Sequence, residues 1–203
     1  MASTPRNPVE PHFVLEIGDQ MINKPKCIIV TGRPGAGKTT LAKRLGQRLW
    51  LPVISRDELK EGYVNTYGVK HDQLPPNTNK VVSTLFFEVV NQFLRNQISL
   101  IIEAAFQHKV WEARVPQLAE VGRPFIIVCA IDDDVAAKRH LQRGLDNPDR
   151  EFYHGDKRVA HYRETGEIAP PKPYIAPELN VPTIHVSTSG AYSPSIEEIV
   201  RML

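Results

Sequence analysis

The stretch that decides the fold is CIIVTGRPGAGKTT, residues Cys27 to Thr40. Within it Gly32, Gly37, Lys38 and Thr39 fill every fixed position of G-x-x-x-x-G-K-[ST], the pattern of a loop that cradles phosphate. Ile28, Ile29 and Val30 form a short apolar, β-branched strand just before the loop, and Leu41, Leu45 and Leu49 recur at helical spacing after it. Strand, glycine loop and helix is the order such a site requires.

The residue types follow from the chemistry. Gly32, Gly35 and Gly37 permit backbone conformations closed to residues with a Cβ, so successive N–H groups can turn inward around an anion. Pro34 stiffens the loop, and the helix starting near Gly37 points its positive dipole end at the same place. Lys38 is expected to reach the β- and γ-phosphates, and the Thr39 hydroxyl to ligate Mg²⁺. Gly32, Arg33, Pro34, Gly35, Ala36, Gly37, Lys38, Thr39 and Thr40 together make the expected cradle for ATP and its metal.

Outward from this loop the chain alternates strands and helices. Leu51 to Ile54 reads as a second strand ending at Ser55, followed at once by Arg56-Asp57-Glu58-Leu59-Lys60. A carboxylate at the end of a parallel strand, one βα unit from the loop, stands where ligands bind in open α/β sheets. Asp57 is the candidate catalytic acid; its plainer reading is a helix N-cap. Residues 64–80 look irregular, with His71 among turn formers, and a wide apolar stripe from Val81 to Leu94 then predicts a core helix capped by Thr78.

Ser99 to Phe106 predicts a buried strand carrying Glu103, in the place where an acid, usually Asp, orients the metal's water shell. A helix over 109–121, a strand over 125–131 and the capping acids Asp132, Asp133 and Asp134 come next. The stretch 138–163 is the most basic in the chain, holding Lys138, Arg139, Arg143, Arg150, Lys157, Arg158 and Arg163. Loosened by Asn147, Pro148 and Gly155, it is expected to close as a lid whose arginines, Arg139 and Arg143 first, neutralise a transferring phosphoryl group. A solvated basic face is the alternative. Residues 169–182, rich in proline, form an extended connector before a last strand, 183–187, and a closing helix capped by Ser195. The expected architecture is α/β: a three-layer fold with a parallel five-stranded sheet and helices on both faces.

With loop, strand-end Asp, strand-end acid and Arg-rich lid in order, the chain resembles the P-loop kinase superfamily. Within it the likeness is to an AAA-type small kinase group that includes polynucleotide 5′-hydroxyl kinase, zeta toxin and chloramphenicol phosphotransferase. GRPGAGKTT and ISRDEL are its most specific pieces, and it spans about residues 26–203. The resemblance implies that Asp57 is the general base on an acceptor hydroxyl, that Arg56 and Lys60 contact acceptor phosphate, and that Arg143, in R-x-x-x-R-G, contacts the donor. Glu103 is followed by Ala104 and Ala105 where the family often has Asn or Thr.

The 203 residues are expected to divide into an N-terminal extension, 1–24, and a kinase domain, 25–203, with its lid near 138–163. A net charge of +2 neither requires nor excludes a polynucleotide, so the acceptor stands as a small molecule, a nucleotide or a nucleic-acid end. The contrasting class is an ATP-hydrolysing switch with no phosphorylated acceptor. No N-K-x-D guanine motif occurs. Scattered charges in the first 25 residues, and the lack of any run of roughly 18 apolar residues, lead to the expectation of a cytoplasmic protein with no membrane contact. Cys27 and Cys129 read as buried core residues, and oligomeric state is not legible.

Overall fold

The computed structural model describes residues 24–203; most of the expected N-terminal extension lies outside the described residues. Five parallel strands, β1 (Lys26–Gly32), β2 (Val53–Ser55), β3 (Leu100–Glu103), β4 (Arg123–Ala130) and β5 (Thr183–Ser187), form one sheet in the order β2-β3-β1-β4-β5. The expected sheet is therefore present. The order reverses about the central strand β1, so the loop after β1 opens into the crevice between divergent connections.

Alternation along β1 explains the three layers. Cys27 and Ile29 face one side, where they join Phe86, Val90 and Leu94 of α3 (Thr78–Arg95) and Trp111, Val115 and Leu118 of α4 (His108–Val121). Ile28 and Val30 face the other, against Leu41 and Leu45 of α1 (Lys38–Leu49) and Ile199 of α8 (Ile196–Met202). A strand buried on both faces must be apolar at every position, which is why its central residues do not alternate with polar ones.

Several local readings change. α2 runs over Arg56–Tyr67, so residues 64–67 of the segment expected to be irregular continue a helix; Gly68, in the left-handed region at φ 66°, ends it. A short 3-10 turn, His71–Gln73, precedes α3, whose cap position is Asn77; the Thr78 hydroxyl instead donates back to the Pro75 carbonyl. The lid is not loose. It folds as α5 (Asp133–Asp146), α6 (Asp149–His154) and α7 (Arg158–Thr165), with Asp132 capping α5 by accepting from the Asp134 and Val135 N–H groups. Ser195 caps α8 through a reciprocal box with Glu198, as its sequence predicts.

The proline-rich connector is held by side chains rather than by secondary structure. Trp111 Nε1 donates to Thr31 Oγ1 at 3.0 Å, and that hydroxyl donates to the Ala104 carbonyl at 2.9 Å and meets the Tyr174 hydroxyl at 3.1 Å. Gln107 reinforces this, donating to the Pro173 carbonyl and accepting from the Ile175 N–H. The connector is thereby drawn over the carboxyl ends of β1 and β3. Trp111 is fully buried, whereas Trp50, at the end of α1, is 94% exposed. Replacing Trp111 by Phe keeps the aromatic packing but removes a buried donor, and should cost about 1–3 kcal/mol of stability in urea denaturation.

Candidate active site

The loop after β1 has the backbone its sequence calls for. Gly35 sits at φ +85°, and a Cβ there would lie 2.1 Å from the carbonyl oxygen of Ala136 in α5. Only glycine satisfies both demands, so the loop and the first lid helix meet backbone to backbone. Arg33 pairs with Asp133 at the start of the same helix. Lys38 is buried, donates to the Arg33 carbonyl at 3.1 Å and stands 3.8 Å from Glu103 Oε1. Burial pushes the Lys38 ammonium below its ordinary pKa, against the opposing pull of the Glu103 and then Asp57 carboxylates.

Sheet register places the acids. Ser55 of β2 and Val30 of β1 both lie opposite Glu103 of β3, so the ends of three strands converge on one carboxylate. Ser55 Oγ donates to Glu103 Oε2 at 2.9 Å, and Thr39 Oγ1 donates to the same oxygen at 3.2 Å. Among the described residues there is no group of three or more His, Cys, Asp and Glu side chains able to hold a metal by itself. Thr39 and Glu103 do fit Mg²⁺, which takes oxygen ligands and is commonly bound by one or two carboxylates together with substrate phosphates.

Asp57 lies in the first turn of α2, and Ser55 takes the cap position with its hydroxyl committed to Glu103. The plainer reading of Asp57 as an N-cap therefore fails. Its carboxyl faces the cavity instead. Partial burial pushes its pKa up, but His154, Arg56, Lys38 and Arg150 together hold it below the ordinary carboxylate value.

The cavity has a volume of about 610 Å³. It is lined by Pro34, Gly35, Lys38 and Thr39 of the loop and α1, by Asp57 and Glu103, by residues of the basic stretch, and by Ala105 and the connector residues Ala169, Pro170 and Lys172. Six cations line it (Lys38, Arg143, Arg150, Lys157, Arg158, Lys172) against three acids (Asp57, Glu103, Asp156). His154 Nε2 is 2.9 Å from Glu61 Oε1, tying α6 to α2. Its own pKa is lowered by burial, with the Glu61 bond acting in the opposite direction. Asp156 Oδ2 lies 3.1 Å from His140 Nε2 of α5; that bond, over a smaller opposing effect of burial, holds the Asp156 carboxyl at about 2. This link supports the lid above the ordinary carboxylate pKa and is lost as pH falls toward 2. Gly155, at φ +62°, packs so closely that a Cβ would lie 2.6 Å from Asp72 Oδ1.

Four expected residues stand elsewhere. Arg139 does not line the cavity: its guanidinium donates to the carbonyls of Thr188 at 2.9 Å and Ser189 at 3.2 Å, joining α5 to the loop after β5. Arg143, four residues on, does line the cavity. Arg56 and Lys60 do not line the cavity, although Asp57 between them does. Arg56 donates to Asn79 Oδ1 at 3.0 Å, while Lys60 is buried and its pKa is lowered to about 8 by desolvation and by Arg56. Thr40 is exposed outside the cradle. Arg150 and His154 lay unselected within the basic stretch, and Lys172 arrives on the connector, with no local signal in the sequence for its position.

With this geometry in place, comparison with known proteins places the chain. A family model described as an AAA domain matches residues 27–165. The chain belongs to that family. No curated protein matches this chain. Among solved structures, it is similar to a protein of Chloroflexus aurantiacus described as a candidate kinase, with 24% identity, TM-score 0.71, and coverage of 89% of this chain and 100% of that one. The APS kinase CysC of Mycobacterium tuberculosis matches with 16% identity and TM-score 0.55, over 89% of this chain and 98% of that one. A component of the Pnkp1/Rnl/Hen1 RNA repair complex matches with 18% identity and TM-score 0.54, over 78% of this chain and 51% of that one. These likenesses show that the AAA domain has the fold found in P-loop kinases.

Gly35→Ala should drive the loop from the lid helix. Nucleotide affinity, followed by titration with a fluorescent ATP analogue, should fall at least about tenfold, and the melting temperature should drop with it.

Proposed function

We propose that this protein is a kinase that moves the γ-phosphoryl of ATP to a hydroxyl acceptor. The observation that carries the reading is that Asp57 lines the same cavity as Lys38 and Thr39, close enough to Lys38 for the two charges to act on each other. A switch that only hydrolyses ATP has no need of a helix-borne carboxylate and a basic wall in the cavity that its phosphate loop opens into. The kinases that share the fold support the same conclusion.

The roles follow from position. The loop N–H groups and Lys38 hold the phosphates, and Thr39 and Glu103 are the residues that would hold Mg²⁺, which when bound offsets charge on the phosphate oxygens. Arg143 reaches the cavity from α5, close enough to Lys38 for each to repel the other's charge, and is placed to neutralise the transferring group. Asp57 accepts the proton as the acceptor oxygen bonds to phosphorus, the bond to the β,γ-bridging oxygen breaks and ADP leaves. Arg139 fixes the lid helix to the loop after β5. Small metabolites, nucleotides and nucleic-acid ends all offer such a hydroxyl.

Incubation with γ-labelled ATP and Mg²⁺ against sugars, nucleosides, hydroxylated antibiotics and 5′-hydroxyl oligonucleotides tests the reading. Label should pass to one acceptor class, and Asp57→Asn should lower kcat by about 10²–10⁴ with nucleotide affinity little changed. Release of label only as phosphate, equally in both proteins, would instead establish an ATPase. Because the Asp57 pKa is held below 3.8, the base is ionised throughout the neutral range. The pH–rate profile should therefore show no loss attributable to Asp57 on lowering pH from about 8 to 5.

A further inference from the structure

Arg150 is left over by the kinase chemistry. It is 7% exposed and lines the cavity, yet its guanidinium makes no hydrogen bond or ion pair with any described residue. Its Nε is sealed from solvent with no partner. Leaving a charge buried and unpaired is among the costlier arrangements a fold can hold, and an anion arriving from the cavity would relieve it. Of the other buried or partly buried cations nearby, Lys38 meets Glu103, Arg158 meets Asp156 and Arg56 meets Asn79 and Asp57, while Lys60, buried without an ion pair among the described residues, does not line the cavity.

The donor does not account for Arg150. On the kinase reading Lys38, the loop N–H groups and Arg143 hold the phosphates of ATP, with Thr39 and Glu103 as the residues that would hold Mg²⁺. Arg150, on α6, lies near Arg143 and among the charges of Asp57, Asp156 and Glu61. A ligand anchored by its anion on Arg150 would thus carry its body past Asp57. Gly155, which also lines the cavity, abuts His71 and Asp72.

We propose, resting on the kinase reading, that the acceptor is a small hydroxy acid whose carboxylate or phosphate is bound by Arg150 while its hydroxyl lies at Asp57. Arg150 is then a specificity-determining residue: it selects for charge on the acceptor and leaves donor binding to the loop. The bidentate fork of guanidinium suits either anion.

Two arms test this. In the first, Mg²⁺ and the non-hydrolysable β,γ-imido analogue of ATP fill the donor site of the full chain, and inorganic phosphate is titrated in by calorimetry. One phosphate per chain should bind, Arg150→Met should weaken it at least about tenfold, Arg150→Lys should recover part of the loss, and analogue affinity should stay within about threefold. No phosphate binding, an unchanged affinity in Arg150→Met, or a parallel loss of analogue affinity would overturn the proposal. This arm needs no catalysis, so it fails independently of the kinase reading. In the second, labelled transfer is compared within the pairs glycerate and glycerol, and 3′-AMP and adenosine. The acid of the active pair should exceed its neutral partner at least about tenfold in kcat/KM, and Arg150→Met should collapse that preference; which pair responds distinguishes carboxylate from phosphate. Equal or better transfer to the neutral partners, or transfer confined to oligonucleotides, would refute the inference while leaving a kinase standing.

Discussion

The site depends on the carboxylate of Glu103. It accepts from Ser55 at the end of β2, accepts from Thr39 on α1, and faces the Lys38 ammonium, while its own strand is registered against the centre of β1. Each partner is a buried or half-buried polar group that would be costly without it. A glutamate reaches further than the aspartate more usual at this place. The hydroxyl of Ser55 takes up part of the carboxylate's hydrogen-bonding capacity, keeping the longer side chain at the strand end. The two alanines that follow remove polar side chains, yet the backbone of Ala104 remains in use: its N–H bonds the Val30 carbonyl and its own carbonyl accepts from Thr31.

Around that anchor the molecule separates two tasks by element. The sheet and α1 present a fixed phosphate cradle; α5, α6 and α7 bring the positive charge. Contacts between the two are steric as much as electrostatic, because Gly35 meets the backbone of α5 and Gly155 meets the turn at His71. A basic segment that is helical and docked behaves differently from a loosened one: its arginines have defined directions, so Arg139 is consumed by carbonyls of the 188–189 loop while Arg143 and Arg150 face the cavity.

Much of this was legible in the chain because it depends on local pattern. The loop, the apolar β1 and β4, the caps at Asp132 and Ser195 and the strand-end placing of Asp57 and Glu103 all arise from neighbours in sequence. What failed to show depends on distance along the chain. Arg139 and Arg143 share a helical spacing, yet one is diverted by a loop some fifty residues later. Lys172 enters the cavity only because Thr31, Gln107 and Tyr174 pin a stretch of prolines that has no periodicity to read. Residues 64–67 looked like loop because Asn65 and Gly68 favour turns, whereas packing of Val64 into the interior carries α2 through to Tyr67.

The two tryptophans of this chain occupy opposite optical environments. Trp111 is sealed in the interior with its indole nitrogen bonded to Thr31, one hydroxyl away from the connector that carries Lys172 to the cavity; Trp50 stands almost wholly in water at the far end of the helix that begins at the phosphate cradle. Their fluorescence therefore separates without labelling. Emission shielded from aqueous quenchers reports on the roof of the cavity, and quenchable, red-shifted emission reports on the distal surface, so movement of the connector is observable in the native protein.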